Sequence, residues 1–178
     1  MKLINTEKLN IFVYKNNLFL ASIFGITKVD LMPFSFCIKI IIYKNYIELI
    51  SGCKTDLKKL KFQLYNEINA KLFNVITTLK KKLVLFGIGF RCWTYKINND
   101  FNYIIFKLGF SRDIVIKVPH IIKIICLKST LIVLKSIDKL KLSQFVCFLR
   151  SLKEPDAYKG KGIQYINEKI VLKLGKNS

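Results

Sequence analysis

Hydrophobic and polar positions in the first half of the chain follow two different periods. Runs rich in β-branched and aromatic residues predict strands, and they cover residues 11–19, 20–29, 36–43 and 46–50. Lys15-Asn16-Asn17 is expected to form a hairpin turn. From Lys54 to Lys80 the apolar residues recur every three or four positions, which predicts an amphipathic helix with Thr55 or Asp56 as its N-cap. The apolar stripe comprises Leu57, Leu60, Leu64, Ile68, Leu72, Val75 or Ile76, and Leu79.

The second half of the chain repeats this order of elements. Its predicted strands are residues 83–90, 92–97, 101–108, 113–118, 121–127 and 130–135. Asp138 is expected to cap a second helix, which Pro155 cannot continue because proline has no backbone N–H. The inward face of this helix is predicted to carry Leu142, Phe145, Val146, Leu149 and Leu152.

Two segments align position by position and indicate an internal duplication. Ile38–Ile47 matches Ile122–Leu131, and each segment is followed by a short link, an Asp and an amphipathic helix. We therefore predict an α+β fold of two similar small domains, each an antiparallel sheet packed on one helix. The predicted domains are residues 1–81 and 82–153, followed by a basic C-terminal extension over residues 154–178.

The charge of the chain indicates a polyanionic partner. It has 31 Lys and Arg against 11 Asp and Glu, a net charge of +20, together with a mean hydropathy of +0.31. Such an imbalance suits a nucleic acid or an anionic membrane surface. Only three of the basic residues are arginine, and the abundance of Lys, Ile and Asn is typical of AT-rich codons. This bias favours a gene from an organellar or parasite-like genome.

Several classes of protein are disfavoured by the sequence. The single histidine, His120, follows Pro119 and is interpreted as a turn residue, and no acidic pair stands in a recognisable active-site setting, so an enzyme is not expected. The five cysteines form no C-x-x-C pair, and neither a metal site nor a cofactor is predicted. Gly87-Ile88-Gly89 lacks a third glycine and is expected to mark a bulge or a close backbone approach in a strand. No transmembrane segment or signal peptide is expected.

One stretch near the end has neither strand nor helix periodicity. Residues 154–163 contain Tyr158 followed by two lysines that alternate with two glycines. Glycine allows close backbone approach, lysine supplies a charge suited to phosphate, and tyrosine adds a flat face. We interpret this stretch as an extended basic finger that lies along a phosphate backbone. The alternative is a solvated basic loop.

The same stretch carries a resemblance to a known family. Pro155–Ile163 resembles the C-terminal signature of the bacterial-type L-six family of large-subunit ribosomal proteins. Three further segments are similar to that family in the same order: Leu83–Arg91, Leu108–Ser111 and Ser136–Lys139. The resemblance implies two related α+β domains and a structural role in binding and stabilising large-subunit rRNA near the elongation-factor site.

The scarce arginines add two candidates, because guanidinium bridges phosphates or stacks on bases. For Arg91 and Arg112 the alternative is a solvated surface position, and Asp113 can neutralise Arg112. Together with what the resemblance implies, the predicted RNA-binding residues are Tyr158, Lys159, Gly160, Lys161, Gly162, Arg91, Arg112, Lys169, Lys173 and Lys176.

The expected partners are large-subunit rRNA, neighbouring ribosomal proteins and, transiently, translation factors. The expected location is the mitochondrion, with an organelle-encoded gene, and the alternative is the plastid. A peripheral membrane protein that binds anionic lipid through its lysines is the rival hypothesis.

Overall fold

A computed structural model describes residues 2–4, 9–34, 38–43, 46–51, 55–97 and 101–175. The chain divides into two compact units, Met1–Thr78 and Leu79–Ser178. Each unit contains antiparallel strands and one α-helix within the described residues. The predicted α+β class, with two similar domains, is confirmed.

The first unit builds two three-stranded antiparallel sheets. Its strands are β1 (Lys2–Ile4), β2 (Asn10–Tyr14), β3 (Asn17–Ser22), β4 (Gly25–Asp30), β5 (Ile38–Ile42) and β6 (Tyr46–Ser51). The sheet orders are β1-β6-β5 and β2-β3-β4. Two strands were expected over residues 11–29, but there are three, because a second turn lies at Ile23-Phe24. The Ser22 hydroxyl accepts a hydrogen bond from the backbone N–H of Phe24 at 3.1 Å in that turn.

The helix of the first unit, α1 (Thr55–Thr77), buries the predicted apolar stripe. Leu64, Ile68, Leu72 and Val75 are buried. Leu79, predicted as the end of that stripe, instead begins the first strand of the second unit. The helix ends earlier than predicted because Thr78 adopts a left-handed backbone with φ of 48°. The helix begins at Thr55, and the side chains of the two predicted caps lie outside those described.

The second unit contains seven strands and one helix in its described part. They are β7 (Leu79–Phe86), β8 (Arg91–Ile97), β9 (Phe101–Lys107), β10 (Ile114–Lys117), β11 (Lys123–Lys128), β12 (Leu131–Ser136), α2 (Lys139–Ser151) and β13 (Gly162–Tyr165). The sheets have the orders β10-β9-β8 and β11-β12-β7-β13. Residues 154–178 were predicted as an extension, yet they include β13, which pairs with β7 and buries Ile163 in the core.

The cap predicted for the second helix is confirmed. The Asp138 carboxylate accepts from the backbone N–H of Leu140 at 3.0 Å and of Lys141 at 3.4 Å. It thereby satisfies N–H groups that have no partner within the helix. Leu142, Val146 and Leu149 pack into the core, and the other two residues of the predicted face lie half-buried at its edge.

The predicted duplication corresponds to a shared order of elements. In the first unit the hairpin β5–β6 precedes α1, and in the second unit the hairpin β11–β12 precedes α2. Both hairpins are antiparallel. No helix in the described part of the chain is long and apolar enough to cross a bilayer.

Candidate nucleic-acid interface

The lysine- and glycine-containing stretch forms a compact loop between α2 and β13. The Asp156 carboxylate accepts from the backbone N–H of Tyr158 at 3.3 Å and of Lys159 at 3.2 Å. The backbone of Asp156 also exchanges hydrogen bonds with Gly160 and Lys161 at 2.9 and 3.0 Å. The prediction of an extended finger is therefore wrong, because one aspartate folds the segment back on itself.

Each of the two glycines in this stretch is needed for a different structural reason. Gly160 has φ of +67°, in the left-handed region that favours glycine. A Cβ on Gly162 would lie 2.7 Å from the carbonyl oxygen of Glu154 and from the Cα of Pro155. Those neighbours are backbone atoms, so they can move aside only if the chain itself shifts. Gly162 is thus required by the close approach of two chain segments.

A buried amide fixes the base of the loop. The Gln164 side chain is buried, and its Nε2 donates to the carbonyl oxygen of Gly160 at 2.7 Å. The backbone N–H of Ile163 donates to the carbonyl oxygen of Lys153 at 2.9 Å. These bonds connect the loop to the core, while the side chains of Lys159 and Lys161 remain exposed. The loop therefore presents two lysines from a rigid support.

The segment after β13 returns to the loop. The backbone N–H of Lys173 donates to the carbonyl oxygen of Ala157 at 2.9 Å, and the side chain of Lys173 is exposed. Leu172 lies 3.5 Å from where a Cβ of Gly160 would be. A shallow cleft of about 520 Å³ is lined by both segments and by the turn after β7; its walls are Phe86, Gly87, Ile88, Lys159, Gly160, Lys161, Gln164, Ile170 and Leu172.

Arg91 follows the turn that forms one wall of this cleft. The two glycines were expected to mark a bulge or a close backbone approach in a strand; β7 ends at Phe86, so they lie in a turn after the strand instead. A Cβ on Gly87 would lie 2.8 Å from the Phe90 ring. The exposed Arg91 then begins β8. Arg91 thus follows within three residues of Ile88, which lines the cleft.

Arg112 lies in the bend between β9 and β10 and is exposed. Its side chain forms no ion pair with the neighbouring Asp113, although the structure describes both residues. Phe110 belongs to the same bend, and the Lys153 ammonium lies 4.7 Å from the centroid of its ring. Lys153 thereby links the Arg112 bend to the residues that precede the loop.

Lys169 follows an ion pair that anchors the segment after β13. Arg150 contacts both carboxylate oxygens of Glu168, with Nη2 to Oε1 at 2.6 Å and Nε to Oε2 at 3.3 Å. The hydrogen bond from Arg150 lowers the pKa of Glu168 below its ordinary value. Glu168 also accepts from the backbone N–H of Tyr165 at 3.1 Å. Arg150 is therefore structural, while Lys169 itself is exposed.

The predicted site residues separate into three groups. The loop residues and Lys173 lie together, because the backbone N–H of Lys173 bonds to Ala157 of the loop. Arg91 follows the turn that lines the cleft beside the loop, and Lys153 connects the Arg112 bend to the residues before the loop. Lys169 follows the Arg150–Glu168 pair, and Lys176 lies outside the described residues.

A second basic feature, Lys80-Lys81-Lys82 on β7, was not predicted as a site. These exposed lysines line a depression of about 490 Å³ with Tyr165, Ile166 and Asn167. The run of three lysines is visible in the sequence, so charge alone could have found it. Within the described residues no cluster of metal-ligating side chains occurs.

The fold and the loop define a basic α+β protein with a duplicated strand–strand–helix plan and a closed loop that exposes two lysines. The family model described as Ribosomal protein L6 matches residues 94–166. The large ribosomal subunit protein uL6 of Karelsulcia muelleri is 41% identical over 119 residues, which cover 65% of this chain and 60% of that protein. The uL6 of Mycoplasmoides gallisepticum is 34% identical over 142 residues, covering 79% of this chain and 75% of that protein.

A third relative is an organellar form. The large ribosomal subunit protein uL6m of Marchantia polymorpha is 40% identical over 94 residues, which cover 53% of this chain and 90% of that protein. The relatives include bacterial, mitochondrial and plastid forms. This chain belongs to the ribosomal protein L6 family, as predicted. Because the family consists of ribosomal proteins, the prediction that the chain is not an enzyme is confirmed as well.

Proposed function

We propose that this protein is a structural constituent of the large ribosomal subunit that binds and stabilises large-subunit rRNA. The observation that carries the proposal is the rigid loop that presents Lys159 and Lys161 to solvent from an Asp156-closed turn. Family membership supports the same role, because the relatives are named as proteins of the large ribosomal subunit. The rival hypothesis, a peripheral membrane protein, has no support from these relatives.

The loop suits the backbone of folded RNA. Lysine ammonium groups are mobile point charges that contact phosphate oxygens without reading a base. The hydrogen bonds to Asp156 fix the backbone before binding, so little conformational entropy is lost when the RNA docks. Tyr158 is 58% exposed and offers a flat surface for a base or a sugar. The interaction is one of phosphate, sugar and shape.

Charge supplies most of the affinity in this proposal. The 31 Lys and Arg residues are opposed by only 11 Asp and Glu residues, which leaves a net charge of +20 on 178 residues. Binding of lysines to phosphates releases condensed counterions, which makes the affinity depend steeply on salt. Lys173, which is bonded to the loop through Ala157, and Arg91 add to the cationic surface, and Arg112 and Lys169 are further candidate contacts. The protein thus acts by neutralising and positioning rRNA.

The proposed surroundings follow the family resemblance. They are the elongation-factor site of the large subunit, with neighbouring ribosomal proteins as permanent partners and translation factors as transient ones. The proposed compartment is the mitochondrion, which the AT-rich codon signature and the mitochondrial relatives support. The plastid is the alternative. Probing purified mitochondria and plastids for the protein distinguishes the two.

Co-sedimentation of the protein with the large ribosomal subunit tests the proposal. The protein should migrate with the large subunit on a sucrose gradient and leave it after ribonuclease treatment. The variant Lys159→Ala with Lys161→Ala should weaken this association and keep its fold, because both side chains are exposed. The control is Lys58→Ala with Lys59→Ala, which removes the same charge from exposed positions on α1. A protein found at the top of the gradient or in a membrane pellet would refute the proposal.

A further inference from the structure

The sheet β10-β9-β8 has one face in the core and one face in solvent. Cys92, Ile104 and Phe106 point into the core of the second unit. Because side chains alternate along a strand, their neighbours lie on the opposite face. This outer face carries Arg91, Trp93 and Tyr95 from β8, Tyr103, Ile105 and Lys107 from β9, and Val115 and Lys117 from β10.

Two aromatic side chains stand next to each other on the outer face. Trp93 is 40% exposed and Tyr95 is 56% exposed, and they are two positions apart on β8. Two residues of a strand span roughly 7 Å, so the two rings are neighbours on this face, and unstacked RNA bases stack on such aromatic side chains. Tyr103 lies directly opposite Tyr95 on β9 and widens the aromatic surface. Large exposed rings grouped on one sheet face mark an interaction surface.

The charge on the outer face is mainly positive. Arg91 is paired with Lys107 across the β8–β9 ladder, and both side chains are exposed. Like charges directly opposite each other destabilise a sheet unless an anion lies between them. The adjacent carboxylate is Asp113, yet none of the ion pairs among the described residues joins it to Arg91 or Lys107. The face is therefore complementary to a polyanion.

We propose that the outer face of β8–β9–β10 is a second RNA-binding surface, on which unpaired bases stack against Trp93 and Tyr95 while Arg91 and Lys107 contact the phosphates. This inference rests on the proposed function for the identity of the partner. A ring surface beside cations is what single-stranded nucleic acid recognises, because every base has a π-face. An apolar protein partner would leave Arg91 and Lys107 opposed without an anion.

The face is continuous with the loop site through one residue. Arg91 follows the turn whose Gly87 lines the cleft beside Lys159 and Lys161, and it also begins the outer face of β8. RNA that contacts the loop by its phosphates can pass Arg91 and present its next unpaired bases to Trp93. The two surfaces have different chemistry, phosphate contact at the loop and base stacking on the sheet.

The first test uses the fluorescence of Trp93, which is the single tryptophan of the chain. The full-length protein is titrated with a short oligouridylate as an unstructured probe. Stacking of a base on the indole should quench its emission saturably. Tyr95→Leu should weaken the binding roughly 5- to 100-fold, as loss of one stacking platform does. The matched control is Tyr14→Leu, which removes an exposed strand tyrosine from the first unit and should leave the titration unchanged.

The second test identifies the occupant in the assembled subunit. A photo-crosslinking amino acid is introduced at Tyr95 and irradiated after the protein has entered the large subunit. A crosslink to rRNA supports the proposal, whereas a crosslink to a ribosomal protein, or none, overturns it. An absence of quenching by oligouridylate overturns it as well.

The two tests also separate this inference from the function proposed above. Should the loop variant Lys159→Ala with Lys161→Ala lose co-sedimentation while Tyr95→Leu binds oligouridylate like the parent, the loop function stands and the stacking surface is refuted. Should the parent protein fail to co-sediment with the large subunit at all, the proposed function itself is refuted.

Discussion

Asp156 is the residue on which the geometry of the candidate loop depends most. Its carboxylate accepts two backbone N–H groups, and its own backbone groups bond to Gly160 and Lys161. An acidic residue beside an RNA site opposes binding by its charge. Here its hydrogen bonds fix the turn that aims both lysines outward. Preorganisation and charge therefore make opposite predictions for this residue.

Replacement of Asp156 by Ala decides between those two effects. Loss of two charge-assisted hydrogen bonds should weaken binding of an rRNA fragment about tenfold, although a negative charge is removed. Glu154→Ala makes the same change of charge at an exposed neighbouring position and should bind as well as the parent or more tightly. Filter binding of both variants measures the contrast. Tighter binding by the Asp156 variant would show that charge outweighs loop order.

Gly162 offers a second test at the scale of single residues. Gly162→Ala forces a methyl group against the backbone of Glu154 and Pro155, so the second unit should lose about 1–3 kcal/mol of unfolding free energy. Gly175→Ala meets open space and should be neutral. Urea unfolding of the two variants and the parent provides the comparison. Equal midpoints would mean that the loop can shift away from the strand.

Among the secondary-structure elements, the short segment after β13 is held by the Arg150–Glu168 pair. Glu168 has a lowered pKa because Arg150 stabilises its charged form. A carboxylate with a lowered folded-state pKa contributes stability above its unfolded pKa, near 4.5, and this contribution is lost as the pH falls through the folded value. The pair therefore adds acid sensitivity to the second unit.

Glu168→Gln isolates that contribution. Because both side chains are partly exposed, the pair should contribute about 1 kcal/mol at neutral pH. The variant should be less stable than the parent near neutrality, and the difference should shrink as the pH falls below 4.5 and through the lowered folded-state pKa of Glu168. Thermal unfolding over a series of pH values from neutral to acid measures the change. If the stability difference between variant and parent stays the same at low pH, the loss comes from packing and not from the charge of Glu168.

Elements with a local signal were predictable from the sequence, and those fixed by distant contacts were not. The Asp138 cap and the apolar stripe of α2 lie within a few residues of each other, so the pattern alone predicts that helix. β13 has no alternation and exists because it pairs with the distant strand β7. The closed loop does carry a local signal, since Pro-Asp followed by Lys-Gly is typical of a turn. The second turn of the first unit, near Gly25, likewise carries a local turn signal.

At the scale of the whole molecule, the high positive charge should determine how association responds to salt. If Lys159 and Lys161 each neutralise one phosphate, replacing both by Ala should reduce the slope of log K against log salt concentration by about 1.4 to 1.8. The Lys58→Ala, Lys59→Ala variant should keep the parental slope. Binding of an rRNA fragment over a range of salt concentrations provides the measurement. An unchanged slope in the loop variant would assign the phosphate contacts to other lysines.

The pairing of β7 with β13 also has a consequence for synthesis on the ribosome. β7 opens the second unit, while its partner strand, which carries Ile163 into the core, follows only after five further strands and α2. The unit therefore cannot close this sheet until β13 has been synthesised, and the loop before β13 gains its base only at that step. A nascent chain that stops short of β13 would lack both a finished core and a closed loop around Lys159 and Lys161.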